Sequence, residues 1–271
     1  MIDEFLRSLR VEPGTDAQLD RRDPGARPPG LDKKAGRARL AELAERLAVL
    51  QGRLAAEASR SVLLVLQGMD ASGKDGTIRH VFSGVNPQGC RVVSFKAPTA
   101  TELAHDFLWR VHAACPARGE LGIFNRSHYE DVVAVRVRKL APEEVWRRRY
   151  EHIRGFERLL VDEGTAIVKV FLHISRDEQR KELQERIDDP EKRWKFRLGD
   201  LDDRKLWDDF MKAYDDAICE TSTGWAPWHV VPANRNWVRN LAVAELLVET
   251  LERLDPQLPP PDPALDGIVV V

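Results

Sequence analysis

A glycine-rich segment carries the residue pattern with the clearest chemical meaning in this sequence. Residues 68–76 read GMDASGKDG and match G-x-x-x-x-G-K, between an apolar run that predicts a strand and a stretch that predicts a helix. Glycines allow successive backbone N–H groups to turn inward, the helix N-terminus adds positive potential, and Lys74 supplies a mobile cation. The alternative is an ordinary glycine turn with a surface lysine, which the flanking elements disfavour. The loop residues predicted to bind phosphate are Gly68, Met69, Ala71, Ser72, Gly73, Lys74, Asp75 and Gly76, and Lys74 is predicted to be catalytic as well.

Two aspartates of this loop predict a metal site. Asp75 stands where a Ser or Thr hydroxyl usually binds Mg²⁺, and Asp70 is a second hard oxygen ligand close to the phosphates. Mg²⁺ favours carboxylates together with substrate phosphates and water. We therefore expect Asp70 to be catalytic through Mg²⁺, or through Mn²⁺ in its place. Asp75 either shares the metal or stabilises the N-terminus of the helix through the helix dipole.

A second polar segment follows the predicted strand at 121–124, where Asn125, Arg126, Ser127 and His128 come in succession. Ligands of open α/β sheets bind at this carboxyl edge. The guanidinium of Arg126 suits a phosphate, so Arg126 is predicted to be catalytic. Asn125 is a neutral oxygen ligand at a position where many P-loop enzymes carry a metal-binding acid. His128 either contacts a phosphate or a base, or is a packing histidine.

A third group of candidates lies in the highly charged segment 176–203. Arg176 and Arg180 fall one helical turn apart on one face, and residues 192–197 (KRWKFR) contain four cations and no acid. Either the segment is a solvated helical face or it is a lid that closes over phosphates. The lid residues predicted to bind phosphate are Arg176, Arg180, Lys192, Arg193, Lys195 and Arg197.

These candidates need a sheet whose strand ends share one edge. Five short apolar runs predict strands, at 61–67, 91–95, 121–124, 166–174 and 228–231. Helical stretches separate them, including an amphipathic helix from 37 to about 58. Repeated βα units of this kind predict an α/β fold, a doubly wound parallel sheet with helices on both faces, and the charged segment 176–203 is the candidate for a helical lid over it.

The domain boundaries follow from composition. Residues 1–36 are predicted to form an irregular N-terminal arm that lies on a neighbour or stays mobile, because 11–35 are rich in Pro, Gly, Asp and Arg without periodicity. Residues 37–255 are predicted to form a single P-loop domain that includes the lid. Residues 256–271 form a Pro-rich tail that should be extended.

Charge and composition exclude several classes of protein. The 42 basic and 44 acidic residues give a net charge of −2, whereas a dedicated nucleic-acid binder usually carries a clear basic excess. No apolar stretch approaches the roughly 20 residues that span a bilayer, and no secretory signal is visible at the N-terminus. Three widely spaced cysteines predict neither disulfides nor a zinc site. We therefore expect a cytoplasmic protein with no nucleic-acid or membrane partner.

Linked motifs make the sequence resemble the polyphosphate kinase 2 family. The motifs are GMDASGKDG, SFKAPTATE, FNRSHYEDV, KRWKFRLGDLDDRKLWDDF and APWHVVPANRNWVRN, which together span roughly 35–255. The resemblance implies Mg²⁺-dependent phosphoryl transfer between inorganic polyphosphate and a nucleoside mono- or diphosphate. It also implies a fold similar to thymidylate kinase and assembly as a homodimer or homotetramer.

Residue 125 refines this resemblance. Much of the family has an Asp-Arg pair here, and Asn125-Arg126 is similar to the subgroup that accepts both AMP and ADP; guanine nucleotides remain an alternative. The segment 96–99 resembles the acceptor-nucleotide loop, and Thr99 is suited to cap the following helix at the same time. The residues expected to bind the acceptor nucleotide are Lys96, Ala97, Pro98, Thr99, Asn125, Arg126, Glu130 and Asp131.

Two other functions remain as alternatives. An ATP-dependent nucleotide kinase of the thymidylate kinase type would share the fold and the phosphate loop, and would differ in its donor. A P-loop regulatory or nucleic-acid-binding switch would be expected to have a stronger basic excess and an acid at position 125. The absence of an obvious Ser-His-Asp set does not separate them, because an ionised phosphate nucleophile needs no general base.

Overall fold

The computed structural model describes residues 2–268, which build one six-stranded sheet flanked by helices. The strands are β1 (Arg10–Val11), β2 (Ser61–Gln67), β3 (Cys90–Ser94), β4 (Leu121–Asn125), β5 (Thr165–His173) and β6 (Trp228–Pro232). Their order in the sheet is β1-β6-β5-β2-β4-β3, and all neighbours run parallel except β1 and β6. The predicted α/β fold with a parallel sheet is confirmed.

The helices connect and cover these strands. They are α1 (Ile2–Leu9), α2 (Lys33–Glu57), α3 (Lys74–Val81), α4 (Ala100–Leu103), α5 (Trp109–His112), α6 (Ala134–Val137), α7 (Glu143–Asp162), α8 (Arg176–Asp188), α9 (Gly199–Lys205), α10 (Trp207–Thr221) and α11 (Asn236–Leu254). Helix α11 packs against α2 and α3, whereas α7 packs against α10 and β5. No described helix is long and apolar enough to cross a membrane.

The central strands are buried because their sequences are nearly continuous apolar runs. Every residue of β2 is buried, as expected for a strand covered on both faces of a parallel sheet. In the register of β2 and β4, Leu66 lies opposite Asn125. The residues that follow these two strands therefore emerge side by side at the carboxyl edge of the sheet, where ligands bind in open α/β folds.

The N-terminal arm differs from the prediction of an irregular segment. Residues 2–9 form helix α1, which buries the apolar face of Phe5, Leu6 and Leu9, and the next two residues pair with β6. One short helix and a two-residue strand are too brief to give a readable period. Helix α2 begins at Lys33, earlier than expected, because the side chain of Asp32 accepts a hydrogen bond from the backbone N–H of Ala35.

Residues 12–31 contain no helix or strand, and they pack on their own domain. Ala17 and Leu19 are buried, and the backbone N–H of Leu19 donates to Asp215 at 2.9 Å.

At the other end of the chain, the tail has one short 3₁₀ turn at Pro263–Leu265. Met1 of the predicted arm and residues 269–271 of the predicted tail lie outside the described residues.

The charged segment predicted to be a lid is largely helical. It contains α8, a 3₁₀ turn at Arg193–Lys195 and the start of α9. Although the sequence of helix α8 is highly charged, its side chains Gln179 and Leu183 are buried. One side of this segment therefore rests on the domain while the other faces solvent.

Candidate active site

The phosphate loop has the backbone that a tight anion-binding turn requires. Gly68, Ala71 and Gly73 have φ values of 147°, 64° and 92°, and the backbone N–H of Ser72 donates to the carbonyl of Met69 at 3.1 Å. A side chain at position 73 would be strained by this backbone. The turn leads directly into α3, whose N-terminus begins at the lysine of the motif.

Lys74 is held inside this turn. Its side chain is only 8% exposed, and Nζ donates to the carbonyls of Gly68 at 2.6 Å and Met69 at 3.1 Å. Burial, together with the nearby positive charge of Arg126, lowers the pKa of Lys74 to about 8. The ammonium is thus partly desolvated and lies where it can exchange carbonyl partners for phosphate oxygens.

Arg126 and Asp70 form an ion pair at the mouth of the loop. The guanidinium of Arg126 donates to Oδ1 of Asp70, and its other end lies 3.6 Å from Oε2 of Glu130. Burial alone would lower the pKa of Arg126, but Glu130 and Asp70 outweigh it and raise this pKa. Burial alone would raise the pKa of Asp70, whereas Arg126 and Lys74 lower it overall. Both partners are therefore charged at neutral pH.

The backbone at Arg126 is unusual. Its φ is 61°, in the left-handed region that non-glycine residues rarely adopt, and its N–H donates to the carbonyl of Leu66 at 3.0 Å. This turn directs the chain away from β4 and brings the guanidinium of Arg126 to the carboxylate of Asp70 on the neighbouring loop. The two strand ends predicted to converge therefore do so through an ion pair.

The donor set at Asp70 suits a magnesium ion that is bound mainly by substrate. Among residues 2–268, no group of three or more His, Cys, Asp or Glu side chains is arranged to hold a metal on its own. Mg²⁺ is usually bound by one or two carboxylates, with phosphates and water completing its coordination. The ionised carboxylate of Asp70, beside the phosphate loop, fits that requirement.

Asp75 has a partner that the sequence did not indicate. The side-chain amide of Asn125 donates to Oδ1 of Asp75 at 2.7 Å, on the exposed side of the site. Asp75 also lies in the first turn of α3, where an acid is stabilised by the helix dipole. The dipole role for Asp75 fits this position in α3, and the hydrogen bond places Asn125 beside the loop.

The predicted acceptor loop is ordered by a helix cap. Thr99 and Glu102 form a capping box at the start of α4, with Thr99 Oγ1 accepting from the N–H of Glu102 at 3.3 Å. The carbonyl of Lys96 accepts from Arg110 at 2.9 Å. Lys96, Ala97 and Thr99 are exposed and Pro98 is half-buried, so this loop borders solvent.

Asp131 is engaged by cations of the protein itself. Its carboxylate lies 3.4 Å from Arg149 and 3.7 Å from Arg110, and its backbone carbonyl accepts from Arg149 at 2.8 Å. Burial raises the pKa of Asp131, and the two arginines oppose that effect. Because Arg110 also donates to the carbonyl of Lys96, Asp131 supports the predicted acceptor loop through Arg110.

The predicted lid cations are not in contact with the phosphate loop. Arg176, Arg180 and the basic residues of 192–197 are exposed, and Lys192 pairs with Asp189 at 3.1 Å. The neutral side chain of Gln179 makes the contact instead, donating to the carbonyl of Asp70 at 3.1 Å. The buried amide of Gln179 therefore joins the lid to the loop, while the six predicted lid cations are exposed.

His128 belongs to the interior. It is 1% exposed, and its Nε2 lies 3.4 Å from Oε1 of Glu157, so the packing alternative holds in this structure.

Arg239 on α11 is a site residue that the sequence reasoning missed. Its guanidinium donates to the carbonyl of Ser72 at 3.3 Å and would collide with a side chain at Gly73. Its position in the motif NRNWVRN was the available signal.

A second missed contact connects the lid with the site. The guanidinium of Arg138 donates to both carboxylate oxygens of Asp203 in α9, at 2.7 and 2.6 Å. The pair lines a cavity of about 20 Å³ together with Asp70, Arg126 and Tyr214. A cavity of this size has room for about one water molecule beside the Asp70–Arg126 ion pair.

Comparison with known proteins gives a consistent result. A family model described as polyphosphate kinase 2 matches residues 30–259. The AMP/ADP-polyphosphate phosphotransferase of Meiothermus ruber is 59% identical over 268 residues, which cover 98% of this chain and 100% of that protein. The ADP-polyphosphate phosphotransferase of Rhodopseudomonas palustris is 50% identical over 232 residues, 81% of this chain and 80% of that protein.

A solved structure agrees at the level of the fold. The crystal structure of polyphosphate kinase 2 from Arthrobacter aurescens TC1 superposes with a TM-score of 0.91 at 46% sequence identity. The match covers 94% of this chain and 91% of that one.

Proposed function

The chain belongs to the polyphosphate kinase 2 family, and on this premise we propose that it transfers a phosphoryl group between inorganic polyphosphate and AMP or ADP. The observation that carries the proposal is the convergence of Lys74 and Arg126 on the mouth of the phosphate loop. Two buried or half-buried cations at one loop are suited to an oligophosphate, which brings several negative charges at once. The relatives named for AMP, ADP and polyphosphate support this choice of substrates.

Each residue then has a defined task in the transfer. The turn at residues 68–76 holds phosphate oxygens through its N–H groups, and Lys74 neutralises charge on the transferred group. Arg126 positions that group from the neighbouring strand end. The attacking phosphate oxygen of the acceptor is already ionised at neutral pH, so positioning and charge neutralisation account for the chemistry without a general base.

The metal proposal rests on Asp70. When bound, Mg²⁺ neutralises developing charge on the phosphate oxygens, and Mn²⁺ is the expected substitute. The ionised carboxylate of Asp70 would hold it, and the guanidinium of Arg126 beside this carboxylate would bind phosphate oxygens.

The acceptor and lid assignments are proposals of the same kind. The largely exposed loop 96–99 and half-buried Asn125, which lies beside Asp75, support an acceptor nucleotide at this edge of the sheet, with Glu130 beside Arg126. The exposed cations of 192–197 would contact the polyphosphate chain when the lid closes. We also propose a cytoplasmic homodimer or homotetramer; all three cysteines are free thiols, as a reducing compartment favours.

The test is a donor comparison with purified protein. Polyphosphate, ADP and Mg²⁺ should yield ATP while the polyphosphate shortens, and AMP in place of ADP should yield ADP. The rival nucleotide kinase predicts the opposite pattern, with transfer from ATP to a nucleoside monophosphate and no product from polyphosphate. The Lys74→Ala enzyme serves as the control for contaminating activity.

A further inference from the structure

A cluster of buried polar groups lies beneath the strand end that carries Arg126. Lys169 on β5 is fully buried, and its Nζ donates to Oε2 of Glu157 on α7 at 2.6 Å. The same ammonium donates to the carbonyl of Thr221 at 2.7 Å and to the hydroxyl of Tyr129 at 3.1 Å. All three N–H bonds of Lys169 are therefore used inside the protein.

Tyr129 connects this cluster to the site. Its hydroxyl donates to Oε1 of Glu157 at 2.7 Å, and its ring packs edge-on against Trp228 with centroids 4.7 Å apart. Its backbone N–H donates to Oγ of Ser127 at 3.2 Å. Side chain and backbone of Tyr129 are thus both fixed, three residues after Arg126.

The turn after β4 has two sides. Ser127, His128 and Tyr129 are buried, whereas Arg126 reaches Asp70 of the phosphate loop and Glu130 lies 3.6 Å from Arg126. The left-handed backbone at Arg126 is unfavourable for a residue with a side chain and persists only where neighbouring contacts hold it. The buried side of the turn supplies those contacts.

Stability alone does not account for the buried pair. The attraction between two buried charges is largely offset by their desolvation, so such a pair contributes little net stability over apolar residues of the same volume. The pair does, however, fix the geometry of its surroundings. Buried charges have no access to water, so they depend on their hydrogen-bond partners inside the protein and hold those partners in one arrangement. That arrangement includes the hydroxyl of Tyr129.

We propose that Glu157, Lys169 and Tyr129 are positioning residues that hold the turn after β4 so that Arg126 is aimed at the transferred phosphate. This inference rests on the proposed phosphotransferase function and assigns a role to groups that do not touch substrate. It follows that a substitution that loosens the cluster lowers kcat only because it displaces Arg126.

The test is a double-mutant cycle with Tyr129→Phe, which removes one hydroxyl from the cluster. In the otherwise native enzyme we expect kcat to fall roughly tenfold while KM for ADP stays within about twofold. In an Arg126→Lys enzyme the same change should lower kcat by less than about twofold, since the positioned group is already lost. Tm should fall by the same amount in both backgrounds.

The matched control is Tyr150→Phe. Tyr150 is also buried, on the same helix as Glu157, and within residues 2–268 its hydroxyl makes no hydrogen bond to Glu157, Lys169 or Tyr129. We expect this variant to keep native kcat in both backgrounds. If Tyr129→Phe does not fold, the double variant Glu157→Gln, Lys169→Met takes its place in the same cycle with Arg126→Lys, because it removes both charges of the cluster.

Two results would overturn the inference. Equal losses of kcat in the native and Arg126→Lys backgrounds would mean that the cluster acts on the whole fold, and an unchanged kcat would mean that it positions nothing. A native enzyme that makes no ATP from polyphosphate and ADP would overturn the proposed function together with this inference. An active native enzyme with equal losses overturns this inference alone.

Discussion

The phosphate loop and the lid present the same kind of side chain in opposite settings. Lys74 is buried and has two carbonyl partners, and Arg126 is paired with a carboxylate. The four cations of residues 192–197 are exposed, and Trp194, which lies between them in the sequence, is 76% exposed. Cations ordered before substrate arrives can act on the transition state, whereas exposed cations are solvated, screened by salt and ordered only on binding. Similar residues should therefore have different kinetic signatures.

The largest effect is expected from Lys74→Ala. Loss of a desolvated cation beside the transferred group should lower kcat roughly a hundredfold or more, because the interaction is realised mainly in the transition state. Steady-state rates with polyphosphate and ADP measure it. Lys212→Ala, which removes an exposed lysine on α10, should leave kcat unchanged. Near-normal turnover by Lys74→Ala would refute the role of the loop.

The pH dependence should follow the same lysine. Because the pKa of Lys74 is lowered to about 8, the cation is present below that pH and is lost as the pH rises through it. We expect kcat/KM for polyphosphate to fall by up to about tenfold per pH unit above 8, and bound phosphates should move the corresponding limb of kcat to higher pH. Lys74→Arg keeps its charge and should abolish this limb. A limb that persists in Lys74→Arg would assign the titration to another group.

Metal dependence should separate the two aspartates of the loop. Asp70→Asn removes the proposed ligand, so the Mg²⁺ concentration for half-maximal rate should rise roughly tenfold. Asp75→Asn should shift it far less, because Asp75 is partnered by Asn125 and the helix dipole. Metal titrations at saturating substrate measure both. A larger shift in Asp75→Asn would reverse the assignment.

The lid should act on binding. Replacing the four cations of residues 192–197 by neutral residues should raise KM for polyphosphate severalfold. It should also flatten the salt dependence of this KM and leave KM for ADP unchanged. The substituted positions are Lys192, Arg193, Lys195 and Arg197. The control removes four exposed cations elsewhere, at Lys33, Lys34, Arg37 and Lys212. A native KM in the lid variant would show that this segment does not bind the chain of phosphates.

The smallest effect is expected at Asn125. Asn125→Asp replaces a hydrogen-bond donor by a second carboxylate beside Asp75 and adds repulsion toward acceptor phosphates. ADP carries more charge than AMP, so the ratio of kcat/KM for AMP over ADP should rise severalfold, or by roughly 1 kcal/mol of differential transition-state binding. Competition between the two acceptors measures the ratio. An unchanged ratio would remove Asn125 from acceptor choice.

The strands and the phosphate loop were predictable because their signals are local. An apolar run such as 61–67 and a glycine-lysine turn can be read from neighbouring residues. The two-residue strand β1 was missed because no period exists over two residues. Its pairing with β6 is a tertiary contact.

The contacts that organise the site could not be predicted for the same reason. Arg239 reaches Ser72, and Gln179 reaches Asp70, across more than a hundred positions of sequence. Lys169 reads as a polar residue within an apolar strand, and only packing shows that Glu157 and Tyr129 partner it. Residue types therefore indicated the chemistry, while the fold determined which cations are buried at the site and which are exposed.

The most direct test of the central claim follows labelled phosphate in a single turnover. Uniformly ³²P-labelled polyphosphate is mixed with excess enzyme, Mg²⁺ and unlabelled AMP or ADP, with no other phosphate donor. We predict that label enters ADP from AMP and ATP from ADP at the rate at which polyphosphate shortens, and that Lys74→Ala slows both transfers roughly a hundredfold or more. Label released only as inorganic phosphate, or transfer that appears only when ATP is added, would contradict the account.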